Sequence, residues 1–569
     1  MKKQFLLAFG LASMLLAGCS DSDNVADGGN TPDPNATGYL SVRVALPSTS
    51  GYAGRAESNF TNDQYDHGVV DEYKVHSIQL ICFNNSDFVL KHFTYKDGLA
   101  STVPPSTLNG ITTEIALPVQ DVPQTVSKIL VLVNYPEAVG SGSDFPAIED
   151  GITTWDDIKD TKFASNTDLI GGGDKNKFFM SNTTLSNGSG STTLLVDVVP
   201  KETQSEAMAK PYTVNVERAV GKVSISHDTE SSAWTNWTYK LSATGFENDE
   251  VTFENWVLDN TNKETYVIRH YDSSWETLCT GTAPYNQRFY GSSNYTGNSG
   301  NTEHRTYWAK DLNYDGTGTE TFNTPKTAAD ITTGMEVADY CLENTFDVNN
   351  MKSSQTTRVL LKAKYTPNSI KTALENSADK NWYRIGSSIT PYTSGQINTL
   401  IEDALDAEGL ATGVEMNISK YNAGENAFNA VNFTGWSTDD GVKTKQLDCV
   451  KRTVGKITCF EDGYCYYEVR VQHFGKTYTP WGGEDLAPGT DTYYDYVSKD
   501  SDGDEDMHYL GRYGIVRNNW YQLELGKVSA PGSPTVPDLS TKADDEQKYY
   551  LQATVKIMDW AVRKQTVDL

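Results

Sequence analysis

Basic residues are in short supply: 47 Lys and Arg stand against 75 Asp and Glu, a formal net charge of −28 over 569 residues. A nucleic-acid binder needs a basic footprint, so that class of partner is excluded. Histidine is scarce as well. None of the eight falls in HExxH, and none pairs with Cys at zinc-ligand spacing. GxSxG, P-loop and dinucleotide-binding fingerprints are missing. Carboxylates are plentiful, but nothing marks two of them as an acid and a base. No enzyme activity is therefore expected, and no cofactor or metal. Cysteine is sparse, with seven residues and no CxxC pair. Apart from Cys19 there are Cys82, Cys279, Cys341, Cys449, Cys459 and Cys465. An exported chain could pair all six, but about 15 connectivities are open, and buried free thiols fit equally well. Cys82 lies in the apolar run Ile78 to Phe83. Two acidic stretches complete the weak signals. Asp311 to Gly316 opens like an EF-hand loop but has Phe322 where a bidentate Glu is required. Asp500 to Asp506 has Glu505 where the loop Gly belongs. Both read as solvated turns, with weak calcium binding as the alternative.

What is present is the composition of a turn-rich β protein: 45 Gly, 32 Tyr and 11 Trp, with 38% hydrophobic residues. The length corresponds to about four domains, or fewer if they are β-sandwiches. Met1-Lys2-Lys3 followed by an apolar run from Phe5 to Leu16 reads as a secretory signal, not a membrane span. Leu16-Ala17-Gly18-Cys19 resembles the lipobox of bacterial lipoproteins, which implies lipid, such as palmitate, on Cys19. Residues 20–37 form a tether rich in Gly, Asn, Asp and Pro.

Two stretches share one pattern. In Tyr39 to Leu46, Leu40, Val42, Val44 and Leu46 alternate with polar or small residues, the period of a half-buried strand. In Tyr549 to Leu569, Leu551, Ala553, Val555 and Ile557 do the same. The parity then slips at Met558-Asp559, so that Trp560 and Val562 carry the apolar face, which implies a bulge or bend. Alternation alone makes the second stretch the last hairpin of a sandwich. Between the first stretch and the next strand, Pro47 to Asn59 reads as a loop and carries Arg55-Ala56, an exposed site for a trypsin-like protease. Strands recur through the chain with turn signals between them, among them Thr125–Asn134, Val214–Ile225, Val251–Leu258 and Thr356–Tyr365. Ile370 to Asp379 and Gly395 to Ala407 have helical spacing and read as decorations on a sandwich. Trp234, Trp237 and Trp256 can stack on sugars, but their strand-like contexts favour core packing.

Several stretches in order resemble the fimbrillins of Bacteroidales, the shaft subunits of the type V pilus, and within them the short-fimbria major subunits. They are Ile129 to Asn134 with Pro136, Phe179-Met180-Ser181, Glu217 to Val223, Leu342-Glu343-Asn344, Gly514 to Asn518 with Tyr521, and the end from Val555 to Leu569. Ser20-Asp21-Ser22-Asp23 resembles acidic signals that send lipoproteins of that order to the cell surface.

The resemblance implies a mainly β fold: two transthyretin-like β-sandwiches with small helical insertions and a C-terminal donor-strand arm. The expected divisions are a signal peptide and lipidated Cys (1–19), a propeptide with a removable first strand (20–55), sandwiches over 56–228 and 229–530, and a linker with donor strands (531–569). It implies a structural fimbrial subunit with a role in adhesion, polymerising by protease-triggered strand exchange. The cut falls between Arg55 and Ala56, although Arg43 is a rival site. The strand of Leu40, Val42, Val44 and Leu46 leaves, and Leu551, Ala553, Val555, Ile557, Trp560 and Val562 of another copy replace it. Partners would be the chain itself, tip and anchor subunits, a trypsin-like surface protease and, before cleavage, the outer membrane. The alternative is a surface lipoprotein that binds glycans through exposed aromatics.

Overall fold

The computed structural model describes residues 36–45, 69–96, 99, 114–136, 144–164, 166–183, 185–186, 192–270, 304–305, 310–313, 322–345, 354–377, 379–471, 513–539, 554–559 and 561–568. It is mainly β and contains two sandwich units. The first is built from β1 (Thr37–Ala45), β2 (Ile78–Phe83), β3 (Val89–Tyr95), β4 (Glu114–Pro123), β5 (Lys128–Val133), β6 (Met180–Asn182) and β7 (Tyr212–Arg218). Their order across the sheet is β3-β2-β5-β6-β7-β1-β4, and β3 and β4 meet, so the sheet wraps its own core. The central strands β2 and β5 are apolar almost throughout and buried along their length, as expected for strands covered on both faces. β4 is different. Ile115, Leu117 and Val119 point in while Ala116, Pro118 and Gln120 are exposed, a one-sided alternation. Two short helices flank this unit, α1 (Trp155–Ile158) and α2 (Gln204–Ala209), both opened by a Thr capping box.

The chain crosses to the second unit at Ala219. The continuous run Val214 to Ile225 is in fact two strands, β7 and β8 (Val220–His227), in different sheets. β8 ends at His227 and belongs to the second unit's sheet, and the hydrogen-bonded sheets change over at Ala219. β9 (Thr238–Lys240), β10 (Glu250–Asp259), β11 (Asp339–Leu342) and β12 (Arg358–Thr366) follow. Then come β13 (Trp382–Ile385), β14 (Gly424–Ala427), β15 (Lys456–Phe460) and β16 (Tyr464–Arg470). The last three are β17 (Asn519–Lys527), β18 (Thr554–Asp559) and β19 (Ala561–Asp568). One layer has the order β11-β8-β17-β18-β19, and the facing layer contains β9-β10-β12-β16. Val223, Ile225, Tyr521, Leu523 and Leu525 from the first layer meet Val251, Phe253, Val359, Leu361 and Tyr467 from the second. Trp256 and Trp234 are buried in this half, their indole N–H groups donating to Gly334 O at 3.1 Å and Gly526 O at 2.7 Å.

Helices form where the spacing pointed, as α3 (Lys371–Asn376) and α4 (Ser394–Ala407). They are more than decorations. With α5 (Asp440–Val454) and the sheet β13-β15-β14, α4 encloses a core of its own that includes Tyr383, Ile397, Ile401, Leu405, Phe433, Val450 and Ile457. The five cysteines in the described residues, Cys82, Cys341, Cys449, Cys459 and Cys465, are buried free thiols.

The two sandwiches meet through buried charges. Arg269 clasps Glu217 with Nε and Nη2, each 2.8 Å from a carboxylate oxygen. Arg517 donates Nε to Glu343 at 2.9 Å and Nη2 to Thr265 Oγ1 and Tyr266 O at 3.0 and 2.9 Å. Lys222 Nζ lies 2.7 Å from the fully buried Glu72, which also accepts from the Tyr340 hydroxyl. Arg218 donates to Asn518 and to the Glu72 carbonyl. Asp311 joins this region and corrects the expectation of a solvated turn. Its buried carboxylate accepts from Asn262, from Asn313 and from the Thr345 backbone, at 2.8–3.0 Å. Burial nevertheless pushes it up to about 6, because desolvation outweighs those donors. The stretch Asp500 to Asp506 lies outside the described residues.

Candidate functional site: the slot of the first strand and the C-terminal hairpin

β1 is an inner strand. It runs antiparallel to β4 and parallel to β7, with Leu40 opposite Val119, Val42 between Leu117 and Tyr212, and Val44 between Ile115 and Val214. Leu40, Val42 and Val44 are at most 1% exposed, because the alternation of β1 matches that of β4 and all three side chains fall on the core side. Arg43, on the opposite face, is exposed. At the start of the strand a register shift between Gly38 and Leu40 marks a bulge. Tyr39 and Lys201 exchange backbone hydrogen bonds at 2.8 Å there, and Gln124 N donates to Ala36 O at 2.9 Å. Gly38 is tightly enclosed: a Cβ on it would come within 2.5 Å of Lys201 O and 2.2 Å of Gln124 Nε2. The strand therefore has a fixed register and a closed entrance. Taking β1 away leaves β4 and β7 with unpaired backbone groups and an apolar slot between them.

At the other end of the chain, β18 pairs antiparallel with β17, from Trp520 opposite Met558 to Glu524 opposite Thr554, and turns back into β19. The β18–β19 pairing shifts register between Ile557 and Asp559, where the sequence pattern slips. Val555, Ile557 and Val562 are thus on strands of a hairpin added beside β17 within the same chain. Cys19, Leu46, Arg55, Ala56, Leu551, Ala553 and Trp560 lie outside the described residues. The structure does not bring the slot and the hairpin together, since β1 and β18 belong to different sheets. What the sequence reading missed is the origin of its own motifs. Glu217-Arg218, Leu342-Glu343-Asn344 and Arg517-Asn518 are members of the buried junction rather than of the slot. A buried Glu or Arg flanked by apolar residues was the signal available.

Residues 489–566 match the family described as major fimbrial subunit protein type IV, fimbrillin, C-terminal. Among curated proteins none matches. Among solved structures, a fimbrilin of Porphyromonas gingivalis W83 is 12% identical, with 94% of this chain and 99% of that chain covered and a TM-score of 0.36. A fimbrial assembly protein of Parabacteroides distasonis is 10% identical, with 63% and 94% covered and a TM-score of 0.29. A tip fimbrial protein of Porphyromonas gingivalis, truncated at its C-terminus, is 10% identical, with 57% and 78% covered and a TM-score of 0.26. Over residues 489–566 the chain is similar to the fimbrillins.

Proposed function

We propose that the chain is a structural, non-enzymatic subunit of a cell-surface fimbrium, with a role in adhesion, that polymerises by strand exchange. The observation that carries this reading is the position of β1, an inner strand with three fully buried side chains; in sequence it precedes Arg55-Ala56. In this scheme the chain is exported as an outer-membrane lipoprotein on Cys19 and cleaved between Arg55 and Ala56 by a trypsin-like protease. β1 then leaves, and the C-terminal arm of a second copy fills the slot. Restoring three apolar side chains at about 1.5–3 kcal/mol each contributes roughly 5–9 kcal/mol before ordering costs, and the backbone of β4 and β7 is paired again. A head-to-tail contact of this kind does not close, so it makes a fibre; tip and anchor subunits would end it. Residues 1–55 carry four basic and four acidic side chains, so the cleaved subunit keeps −28 and strand burial has to outweigh self-repulsion. The divisions at residues 19, 55, 228 and 530 belong to the same proposal.

N-terminal sequencing of the surface-exposed protein tests it. A chain beginning at Ala56 is the expected result; one beginning at lipidated Cys19 removes the basis for exchange. The reading of a glycan-binding lipoprotein draws little from the aromatics first considered, since Trp234 and Trp256 are spent in the core.

A further inference from the structure

A cavity of about 130 Å³ opens where the second sandwich meets the α4–α5 insert, far in sequence from the slot and independent of strand exchange. Its walls differ in chemistry. On one side is Arg384 of β13, whose guanidinium makes no ion pair and no hydrogen bond among the described residues. It is held instead by rings: Cζ lies 5.5, 5.6 and 5.7 Å from the centroids of Trp382, Phe460 and Phe246. Trp382 and Phe460 are themselves stacked at 3.7 Å, which fixes the platform under the cation. Two donors here are buried with no acceptor among the described residues, Arg384 Nε and Trp382 Nε1. Buried donors are almost always satisfied, so two neighbouring exceptions call for an acceptor. Burial holds the Arg384 guanidinium below its ordinary range, an energetic cost that an anion in the cavity would offset.

On the other side are acceptors. Asp249 takes the Tyr365 hydroxyl at 2.6 Å and the Asn368 backbone N–H at 2.7 Å, which holds its carboxylate in place with lone pairs to spare. Glu247 stands at the rim, and half-exposed Phe246, exposed Ile389 and Pro391 complete an apolar edge. A plain inorganic anion is opposed by the two carboxylates. A neutral sugar adds no charge to that of Asp249, which acts on the Arg384 guanidinium from across the cavity. A ligand that fits both sides has a carboxylate for the guanidinium fork, hydroxyl donors for Asp249 and Glu247, and a C–H face for the apolar edge. We propose that this cavity binds one terminal carboxylated sugar of the uronic-acid class, with Arg384 as the anchor of its carboxylate. The volume suits a single end residue, not a chain.

The probe is glucuronate, titrated against the full-length protein by calorimetry or saturation-transfer NMR. Saturable binding is expected. It weakens at least tenfold for the neutral methyl ester of glucuronate, and at least tenfold in Arg384→Gln. Ile389→Glu, at a side chain 51% exposed, places a repelling carboxylate at the mouth without touching the core, so it weakens glucuronate binding while the melting temperature stays at the wild-type value. The proposal is overturned by any of four results: no binding of glucuronate; equal binding of its methyl ester or of glucose; stronger binding of alanine or phosphate than of glucuronate; or wild-type affinity in both variants.

Discussion

The pair Arg517–Glu343 offers a test of how the two sandwiches are joined. Arg517 is 1% exposed and Glu343 6%. The guanidinium supplies Nε to the Glu343 carboxylate at 2.9 Å and Nη2 to Thr265 and to the Tyr266 carbonyl. Arg517→Met keeps much of the volume but removes all of these donors. Among the described residues, Glu343 is then left buried with only the backbone N–H of residue 517, at 3.3 Å, donating to its carboxylate. Breaking a buried pair from one side costs about 3–5 kcal/mol, most of it the uncompensated charge. Adding Glu343→Leu removes that charge as well. The native pair already contains one buried donor without a partner among the described residues, Arg517 Nη1, so its apolar replacement has less to lose. The double variant is therefore expected within about 2 kcal/mol of wild type, a coupling of several kcal/mol between two neighbours. Urea unfolding measures it, and midpoints are read as free energies only where the slopes agree. A loss under about 1 kcal/mol in Arg517→Met, or a double variant that costs as much as both singles added, refutes the claim that the junction is held by mutual neutralisation.

Further outcomes follow from other parts of the fold. A folded-state value of about 6 for Asp311, against 3.8 ordinarily, means that the folded chain keeps a proton the unfolded chain has lost between about pH 4 and 6. Stability then falls as pH rises through that window, by up to about 3 kcal/mol, and Asp311→Asn removes this contribution in a pH series of melts. Leu40→Ala, in the core face of β1, is expected to cost the uncleaved chain about 2–5 kcal/mol. Under the proposed exchange it leaves the cleaved subunit unchanged; a cleaved subunit destabilised to the same extent shows that β1 has stayed. Ending the chain before Tyr549 is expected to give a folded, exported protein that forms no heat-labile ladders on gels, and ladders that persist make the terminal segment an ordinary hairpin. Gly221→Ala drives a Cβ to within 2.2 Å of Ile515 Cγ2, and overpacking of this kind lowers stability by about 1–3 kcal/mol in thermal melts.

How much of this was legible in the sequence depends on how local each cause is. The alternation from Leu40 to Val44 survives in the structure because Leu40, Val42 and Val44 share the core face, while Ser41 and Arg43 lie on the other, where Arg43 reaches solvent. The slip at Met558-Asp559 survives because a bulge is a property of neighbouring residues. The insert was not legible. In α5, Gln446 takes a fully buried place where the helical period calls for an apolar residue, and it is there to donate to Ala411 O at 2.7 Å and to accept from Ser437 N at 2.9 Å. The first of those needs arises from a loop 35 residues away, so no window on the helix reveals it. Asp311 misled for the same reason. Its spacing looked like a solvated turn, but its partners Asn262 and Thr345 come from distant parts of the chain and close over it. The junction motifs were visible as words and opaque in meaning, because the side chain that answers Arg218 is Asn518, 300 residues further along.

Gly38 belongs to the strand that the proposed exchange removes. A Cβ in its place would come within 2.5 Å of the Lys201 carbonyl, which is held there by its bridge to Tyr39 of β1 itself. The arm from Tyr549 to Leu569 contains no glycine. Under the proposed exchange, a strand drawn from it would have to displace that carbonyl or stop short of the place of Gly38; where it stops sets how deeply one subunit sits in the next, and with that the repeat distance along a filament.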